Sequence, residues 1–205
     1  MKFKSHAYKH ADIVLNDPRH KKDLDDIVEV IGSITDEDLK ARHLARKNLG
    51  VKSSLAPTIN ALLKERLVEK GWAAESSIFQ GEEYGTDKTW RLDFARNSVS
   101  IEVAFNHGEA IAWNLLKPVL ASEVNNVQKA IKTEVGVLIV ATAALKNAGA
   151  FDSAVGEYEK VLRYLVPLST LMSVPLLIIG LEAPETFKLK AKKPVCDDWG
   201  TFIEL

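Results

Sequence analysis

Residues 91 to 105 read RLDFARNSVSIEVAF and place two carboxylates, Asp93 and Glu102, in a strand-like alternation of apolar and polar side chains. A two-residue turn at Asn97 and Ser98 would fold this stretch into an antiparallel hairpin. In that register Asp93 lies directly across from Glu102, with Cβ atoms about 5 Å apart. Like charges at this separation repel, so the pair predicts a compensating cation.

A divalent cation is the simplest compensator of two opposed carboxylates. Oxygen ligands that leave room for water and a substrate phosphate suit Mg²⁺ better than zinc. Such an ion can polarise a phosphodiester and acidify a bound water, which makes metal-assisted hydrolysis the predicted chemistry. The competing interpretation is an exposed polar face near a sheet edge, where the acidic pair is incidental.

The alternation divides the second strand of the hairpin into two faces. The predicted core face carries Val99, Ile101, Val103 and Phe105, and the other face carries Ser98, Ser100, Glu102 and Ala104. Hydrolysis also needs a group beside the attacking water, usually on the same strand face two residues beyond the glutamate. Ala104 occupies that position, and a methyl group can neither accept a proton nor orient water.

Helical and strand periodicities alternate along the chain. Continuous apolar runs at 135–145 and 175–181 indicate strands covered on both faces. Amphipathic helices are predicted from Leu24 to Gly32, from Pro57 to Gly71, from 110 to 132 with a kink or break at Pro118, and from Ala154 to Leu165 with Asp152 or Ser153 as N-cap. This alternation predicts an α/β fold with a central mixed β-sheet flanked by helices, and 205 residues fit a single domain, 1–205.

Composition argues against several classes of protein and site. The net charge of −1 and the pI near 6.5 indicate neither a nucleic-acid nor a membrane partner. The single cysteine, Cys196, excludes an intrachain disulfide and a multi-thiolate metal site. No apolar stretch reaches the ~20 residues of a membrane span. The sequence contains no Gly-rich phosphate-binding loop, so we expect no nucleotide cofactor. We expect no membrane partner and a cytoplasmic location.

Positive charge is concentrated in one segment. Between Leu39 and Lys70, eight Lys or Arg stand against two acids, Glu65 and Glu69, so the segment carries about +6. A solvated face is the simplest interpretation of this segment, and contact with phosphates is the functional one.

The hairpin resembles the active-site strands of the BglII and BstYI group of type II restriction endonucleases, within the PD-(D/E)xK nuclease superfamily. The shared pattern is present here as Asp93-Phe94, the same spacing to Glu102, and Glu-Val-x-Phe at 102–105. Three further stretches resemble the group in the same order: YKHADIVLNDP (8–18), PTINALLKERLVEKGW (57–72) and VPLLIIGLEAP (174–184). Together they extend over most of the chain.

The resemblance implies a restriction-endonuclease-like fold that acts as a homodimer on a short palindromic site in double-stranded DNA, with Mg²⁺ as cofactor. A core containing GATC is the site that these relatives indicate. Asp93 and Glu102 match the catalytic carboxylates and metal ligands of the group, and the main-chain carbonyl of Val103 matches a further metal ligand.

Position 104 departs from the group, whose members carry Gln there, while the wider superfamily often carries Lys. Three interpretations stay open. Another side chain supplies the missing function, with Glu75 and Arg91 as candidates, the latter because it would face Ala104 in the predicted hairpin. Alternatively, the alanine is an engineered inactivating change, or the chain is a natural homologue that binds DNA without cutting it.

The resemblance also implies contacts with DNA bases. The corresponding residues are Asn106, His107, Lys117, Asp152 and Ser153. Asn can bridge adenine edges, and Lys can approach guanine acceptors. Each has a simpler interpretation as a turn, solvated or capping residue.

Phosphate contacts are predicted at Lys52 and Ser53, just before the helix that begins at Pro57. The leading hypothesis is therefore a Mg²⁺-dependent type II restriction endonuclease. A sequence-specific DNA-binding homologue that has lost catalysis is the second hypothesis, and an α/β protein that binds no DNA is the third.

Overall fold

The computed structural model describes residues 1–48, 53–80, 88–122, 132–191 and 199–205. Lys52 and Cys196 lie outside the described residues. Within the described part of the chain, no helix is long and apolar enough to cross a membrane.

Eight strands form two sheets in the described part of the chain. They are β1 (Phe3–Tyr8), β2 (Ala73–Ser77), β3 (Arg91–Arg96), β4 (Val99–Ala104), β5 (Val135–Ala141), β6 (Leu176–Leu181), β7 (Phe187–Leu189) and β8 (Phe202–Glu204). The main sheet has the order β1-β6-β5-β4-β3-β2, and β7 pairs with β8 in a small separate sheet. Strands β4, β5 and β6 are parallel, whereas the β1–β6, β3–β4 and β2–β3 pairs are antiparallel. The predicted α/β fold with a central mixed sheet is confirmed.

Helices cover both faces of the main sheet. They are α1 (Ala11–Asn16), α2 (Lys21–Ser33), α3 (Asp36–Lys47), α4 (Ala56–Glu69), α5 (Ile111–Ser122), α6 (Ala143–Ala148) and α7 (Tyr158–Leu165). Helices α1 to α4 bury their apolar side chains with Val99, Ile101 and Ile139 on one face. Helices α5 and α7 pack on the other face, in a second cluster that includes Ala104 and Ile178. The main sheet is therefore the middle layer of a three-layer arrangement.

Several sequence predictions agree with these elements. Helix α2 covers the predicted stretch, and α4 carries Pro57 in its first turn and is followed by Gly71 at a φ of 86°. Strands β5 and β6 are buried along their whole length, as continuous apolar runs predict. The run that begins at Val135 divides after Ala141, because the Thr142 hydroxyl accepts a hydrogen bond from the Leu145 N–H at 3.1 Å and caps α6.

Two expectations about helices were wrong, a break at Pro118 and an N-cap at Asp152 or Ser153. Helix α5 continues through Pro118 to Ser122, since buried side chains on both sides of the proline hold it against the sheet. Residues 123–131 of the predicted helix lie outside the described residues. Helix α7 begins at Tyr158, so neither Asp152 nor Ser153 is its N-cap. Residues of the loop before α7 instead form isolated β-bridges with His107 and with Ala141. These long-range pairings outweigh the helical spacing of apolar residues in this loop.

Gly136 sets the distance between α5 and the sheet. A Cβ atom at this position would lie 2.7 Å from Leu176 Cδ1 and 2.9 Å from Pro118 Cβ. The missing side chain thus allows Pro118 and the neighbouring Lys117 to come close to β5. Helix α5 therefore packs so closely against β5 at Gly136 that an added methyl group would force neighbouring atoms to move.

We predict that Gly136→Ala lowers the free energy of unfolding by about 1–3 kcal/mol, because the new methyl group overpacks the contact with Pro118. Urea denaturation of both proteins measures this difference. Gly32→Ala is the matched control, since a Cβ there meets nothing within 4 Å. Equal destabilisation by both variants would show that the contact at Gly136 is not the cause.

Candidate active site

The closed end of the β3–β4 hairpin is anchored to α2 and α4. Arg96 donates hydrogen bonds of 2.7 Å to both Asp23 and Asp26 of α2 and one of 2.6 Å to the Lys70 carbonyl. Its guanidinium also lies 4.6 Å from the centre of the Trp72 ring. These contacts fix the position of the hairpin before any ligand binds.

The hairpin has the predicted register. Asn97, at a φ of 52°, forms the turn, and Arg96 pairs with Val99, Ala95 with Ser100 and Phe94 with Ile101. One step further along this register, Asp93 lies opposite Glu102, although the strand pairing itself stops at Phe94 and Ile101.

At Asp93 and Glu102, side-chain hydrogen bonds take the place of the backbone ladder. The Asp93 N–H donates to Glu102 Oε1 at 3.2 Å, and the Val103 N–H donates to Asp93 Oδ2 at 2.7 Å. Each carboxylate therefore accepts a backbone hydrogen bond from the opposite strand. This exchange holds both carboxylates in fixed positions between β3 and β4.

The two carboxylates lie in an environment that disfavours negative charge. Glu102 is only 2% exposed, so the interpretation of the pair as an exposed polar face is excluded. Burial, followed by repulsion from Asp93, raises the pKa of Glu102 to about 8, against opposing effects of Lys117 and the Asp93 N–H. Burial also raises the pKa of Asp93, partly offset by the Val103 N–H. Without a further cation, the pair is thus predisposed to hold a proton.

Lys117 of α5 forms an ion pair with Glu102. Its Nζ atom lies 2.7 Å from Glu102 Oε2, and its side chain is 13% exposed. The two oxygens of Glu102 therefore have different partners, the Asp93 N–H at Oε1 and an ammonium at Oε2. Sequence reasoning expected Lys117 at the DNA and did not predict this contact.

On the α4 side of the sheet, Asp93 borders a cavity of about 130 Å³. The residues that line it are Asn60, Lys64, Glu75, Asp93, Phe94 and Val103. Glu75, predicted as a candidate site residue, thus lies close to Asp93, and its carboxylate is 3.5 Å from Lys64 Nζ. Glu75 also has a φ of 53°, a conformation that costs a non-glycine residue about 1–2 kcal/mol.

Ala104 lies on the face of β4 that α5 covers. It is 6% exposed and packs in the cluster that includes Ile111 and Leu115. The recorded pairing of β3 with β4 ends at Phe94 and Ile101 and does not extend to Arg91. That Arg91 faces Ala104 therefore stays a prediction.

Comparison with known proteins identifies this arrangement. The family model described as restriction endonuclease BglII/BglIII matches residues 3–181. The chain belongs to the BglII/BglIII restriction endonuclease family. It is thus a type II restriction endonuclease by family, and the resemblance seen in the sequence is confirmed. No sequence among the curated proteins gives a significant match.

Two solved structures show the same fold as this family member. A crystal structure of restriction endonuclease BglII complexed with a DNA 16-mer has a TM-score of 0.65 and 19% identity, covering 100% of this chain and 90% of the other. Free BglII has a TM-score of 0.57 and 18% identity, with 100% and 93% of the two chains covered. The restriction-endonuclease-like fold predicted from the sequence is thereby confirmed.

The residues that the BglII resemblance places at DNA bases lie in two joined loops. Asn106 and His107, which follow β4, are exposed, and so are Asp152 and Ser153. The Asn106 carbonyl accepts from the Gly156 N–H at 3.0 Å, and His107 forms a β-bridge with a residue of the same loop. Lys117 is the exception, because it lies at Glu102. Base contact by these residues stays a prediction.

Ser53 adjoins the second of these loops. It lines a cavity of about 740 Å³ together with Asp152, Ser153, Lys146 and Trp199. Lys146 itself holds the loop through bonds of 2.8 Å to a backbone carbonyl and to a glutamate side chain. The structure thus brings the predicted phosphate contact Ser53 next to predicted base contacts.

Much of the positive charge between Leu39 and Lys70 is neutralised within the protein. Five of its cations form ion pairs: Lys40 with Glu204, Arg42 with Glu65, Lys64 with Glu75, Arg66 with Asp38, and Lys70 with Glu29. The excess charge seen in the sequence is therefore a poor guide to phosphate contacts in this segment.

The anchor of the hairpin predicts a dependence of stability on pH. Burial alone would raise the pKa of Asp26, but hydrogen bonds from Arg96 and Lys22 outweigh it and hold the pKa below its ordinary value. A carboxylate with a lowered pKa stabilises the fold fully above its unfolded pKa, about 3.9, and loses that contribution as the pH falls through the folded value.

We therefore expect Asp26→Asn to lower the free energy of unfolding by about 2 kcal/mol at pH 7, where its carboxylate pairs with Arg96, and to have a smaller effect below about pH 4. Urea denaturation at several pH values measures this. Asp12→Asn, at an exposed site on α1, is the control. A difference between Asp26→Asn and wild type that stays constant from pH 7 to pH 3 would contradict the assignment.

Proposed function

We propose that the protein is a Mg²⁺-dependent homodimer that hydrolyses double-stranded DNA at one short palindromic site. The observation that carries this proposal is the geometry of Asp93 and Glu102. Glu102 is buried and Asp93 half-buried, and the two lie opposite each other, each held by a backbone N–H group of the facing strand. Family membership supports site-specific cleavage of DNA.

The donor atoms at this site fit Mg²⁺. Asp93 and Glu102 would be the side-chain donors, since they lie opposite each other on β3 and β4. Within the described part of the chain, no group of three His, Cys, Asp or Glu side chains could hold a metal ion. The Val103 carbonyl, water and phosphate oxygens would complete an all-oxygen shell, as Mg²⁺ prefers. Such an ion would polarise the phosphate and acidify a bound water. A positive charge between the two carboxylates would also remove the repulsion that disfavours their ionised forms.

The residues of the hairpin have defined roles in this reaction. A water oxygen forms a bond to phosphorus and releases one proton to the solvent, while the ester bond to one sugar oxygen breaks with its electron pair. That oxygen takes up one proton from the solvent and leaves as an alcohol. Asp93 and Glu102 position the reacting groups, and the anchored Arg96 keeps the hairpin rigid while charge moves. Fixed groups of this kind stabilise the transition state without reorganising.

The loops that carry Asn106, His107, Asp152 and Ser153 are proposed to contact DNA. The first loop follows the carboxyl-terminal end of β4, and the second follows α6, the helix that begins just beyond the carboxyl-terminal end of β5. This is the edge where α/β sheets commonly bind ligands. The fold shared with a BglII structure that holds a DNA 16-mer supports DNA as the ligand. A palindromic site has twofold symmetry, so two copies of the chain would each cut one strand.

A second function is favoured by Ala104. The position holds a methyl group, which cannot take part in proton transfer. A chain that lacks a proton-transfer group at this position would bind its DNA site and leave it intact. Binding without cleavage in Mg²⁺ or Mn²⁺ distinguishes this function from the first.

Incubation of purified protein with plasmid DNA and Mg²⁺ tests the proposal. We expect discrete fragments whose ends map to one palindromic sequence with a GATC core, and a molar mass in solution of two chains. A smear, or intact plasmid with wild-type protein in both Mg²⁺ and Mn²⁺, would contradict site-specific cleavage.

Substitution of the carboxylates should separate cutting from binding. We expect Asp93→Asn and Glu102→Gln to slow cleavage by about 10³-fold, because each removes a charged group from the site of reaction. Binding to the same DNA without Mg²⁺ should persist in a gel-shift measurement. Asp12→Asn is the control for loss of one acidic side chain, and cleavage by Asp93→Asn at the wild-type rate would contradict the role of the pair.

A further inference from the structure

We propose that Lys117, on helix α5, is a catalytic residue that supplies the group missing at Ala104 of strand β4. This inference rests on the proposed hydrolysis of DNA. It assigns to Lys117 a direct contact with the attacking water or the reacting phosphate, rather than the base contact expected from the sequence.

The position of Lys117 relative to Glu102 is the first step. Its Nζ lies 2.7 Å from Glu102 Oε2, while Oε1 is occupied by the Asp93 N–H. The ammonium therefore lies at the carboxylate pair, on the sheet face that α5 covers. Among the described residues, Lys117 is the cationic side chain that forms an ion pair with Glu102.

The second step is the space left by the strand. Ala104 lies on the same face as Glu102, with the two Cα atoms about 7 Å apart along the strand. Its methyl group ends well short of the carboxylate. A long side chain from α5 reaches the region that the short Ala104 side chain leaves empty of functional groups.

The third step is the chemistry of the ammonium. It carries three N–H donors, of which Glu102 accepts one, and no other residue in the described ranges accepts a second. The remaining donors can orient a water and stabilise the negative charge that develops on phosphate oxygens. Glu75 is anionic and lies at the Asp93 cavity, and no hydrogen bond or ion pair in the described part of the chain joins Arg91 to Glu102, so neither earlier candidate offers these donors there.

The fourth step concerns the cost of the ion pair. Burying a lysine and a glutamate removes both from water, and apolar side chains of similar volume often stabilise a fold equally well. The pair therefore contributes little that packing could not provide. Its presence beside a second carboxylate is better explained by chemistry than by stability.

Single-turnover cleavage, with enzyme in excess over DNA, tests the role of Lys117. We expect Lys117→Met to bind the DNA site within about threefold of wild type in the absence of Mg²⁺, and to cut it about 100-fold more slowly. Lys117→Arg, which keeps the charge and N–H donors, should recover part of the rate. Thermal melting of each variant checks that the fold is retained.

The control is Lys4→Met. It also removes a lysine–glutamate pair with a 2.7 Å separation, between Lys4 of β1 and Glu159, far along the sheet order from the hairpin. Its cleavage rate should equal that of wild type. If Lys4→Met slows cleavage as much as Lys117→Met does, loss of any lysine–glutamate ion pair slows cleavage. That result would overturn the inference.

Relocation of the lysine is a second test. In a Lys117→Met background, Ala104→Lys returns an ammonium to the same face of β4 and should restore part of the rate. If the double variant does not fold, chemical rescue serves as the second test. We then expect ethylammonium to increase the cleavage rate of Lys117→Ala in a saturable manner.

The possible outcomes separate this inference from the function on which it rests. No cleavage by wild-type protein would overturn both. Cleavage by wild type together with an unimpaired Lys117→Met variant would overturn the role of Lys117 alone. A variant that loses DNA binding and cleavage in equal proportion, or that cuts at new sequences, would establish base contact and overturn catalysis.

Discussion

Two carboxylates that face each other inside a sheet are the constraint on which the rest of this structure depends. β4 lies between β3 and β5 and Glu102 is buried, so water screens its repulsion from the half-buried Asp93 only weakly. The fold compensates with a backbone N–H for each carboxylate and with the ammonium of Lys117. At this point the backbone hydrogen bonds between β3 and β4 are replaced by hydrogen bonds from backbone N–H groups to the two carboxylates.

Holding these groups in place requires support from distant parts of the chain. Arg96 ties the hairpin to two acids of α2 and to the end of α4, while Gly136 allows α5 to approach β5 closely enough for Lys117 to reach Glu102. These supports come from opposite faces of the sheet. The position of the carboxylates and that of the ammonium are thus set independently, by a hairpin anchored on one side and a helix seated on the other.

The hairpin and the fold class could be predicted from sequence because both follow from local patterns. A two-residue turn fixes the register of an antiparallel pair, and that alone placed Asp93 opposite Glu102. Lys117 could not be assigned in this way, since its contact depends on how a helix lies across the sheet. The start of α7 was missed for a similar reason, because bridges from His107 and Ala141 hold residues whose spacing looks helical. Clustered basic residues were misleading because their partners, such as Glu204, are distant in sequence.

The division of the site between a strand and a helix has a physical consequence for the function of the molecule. A carboxylate on β4 moves with the sheet, whereas the ammonium on α5 moves with a helix whose seat is a close contact at Gly136 and Pro118. A shift of about 1 Å in that helix would lengthen the bond between Lys117 and Glu102 enough to weaken it strongly. The helix continues from the loop that carries Asn106 and His107, and the Asn114 amide donates to the Asn106 side chain at 3.0 Å. Contact of that loop with DNA would therefore act on the same helix that holds the ammonium, which links recognition and chemistry through one element.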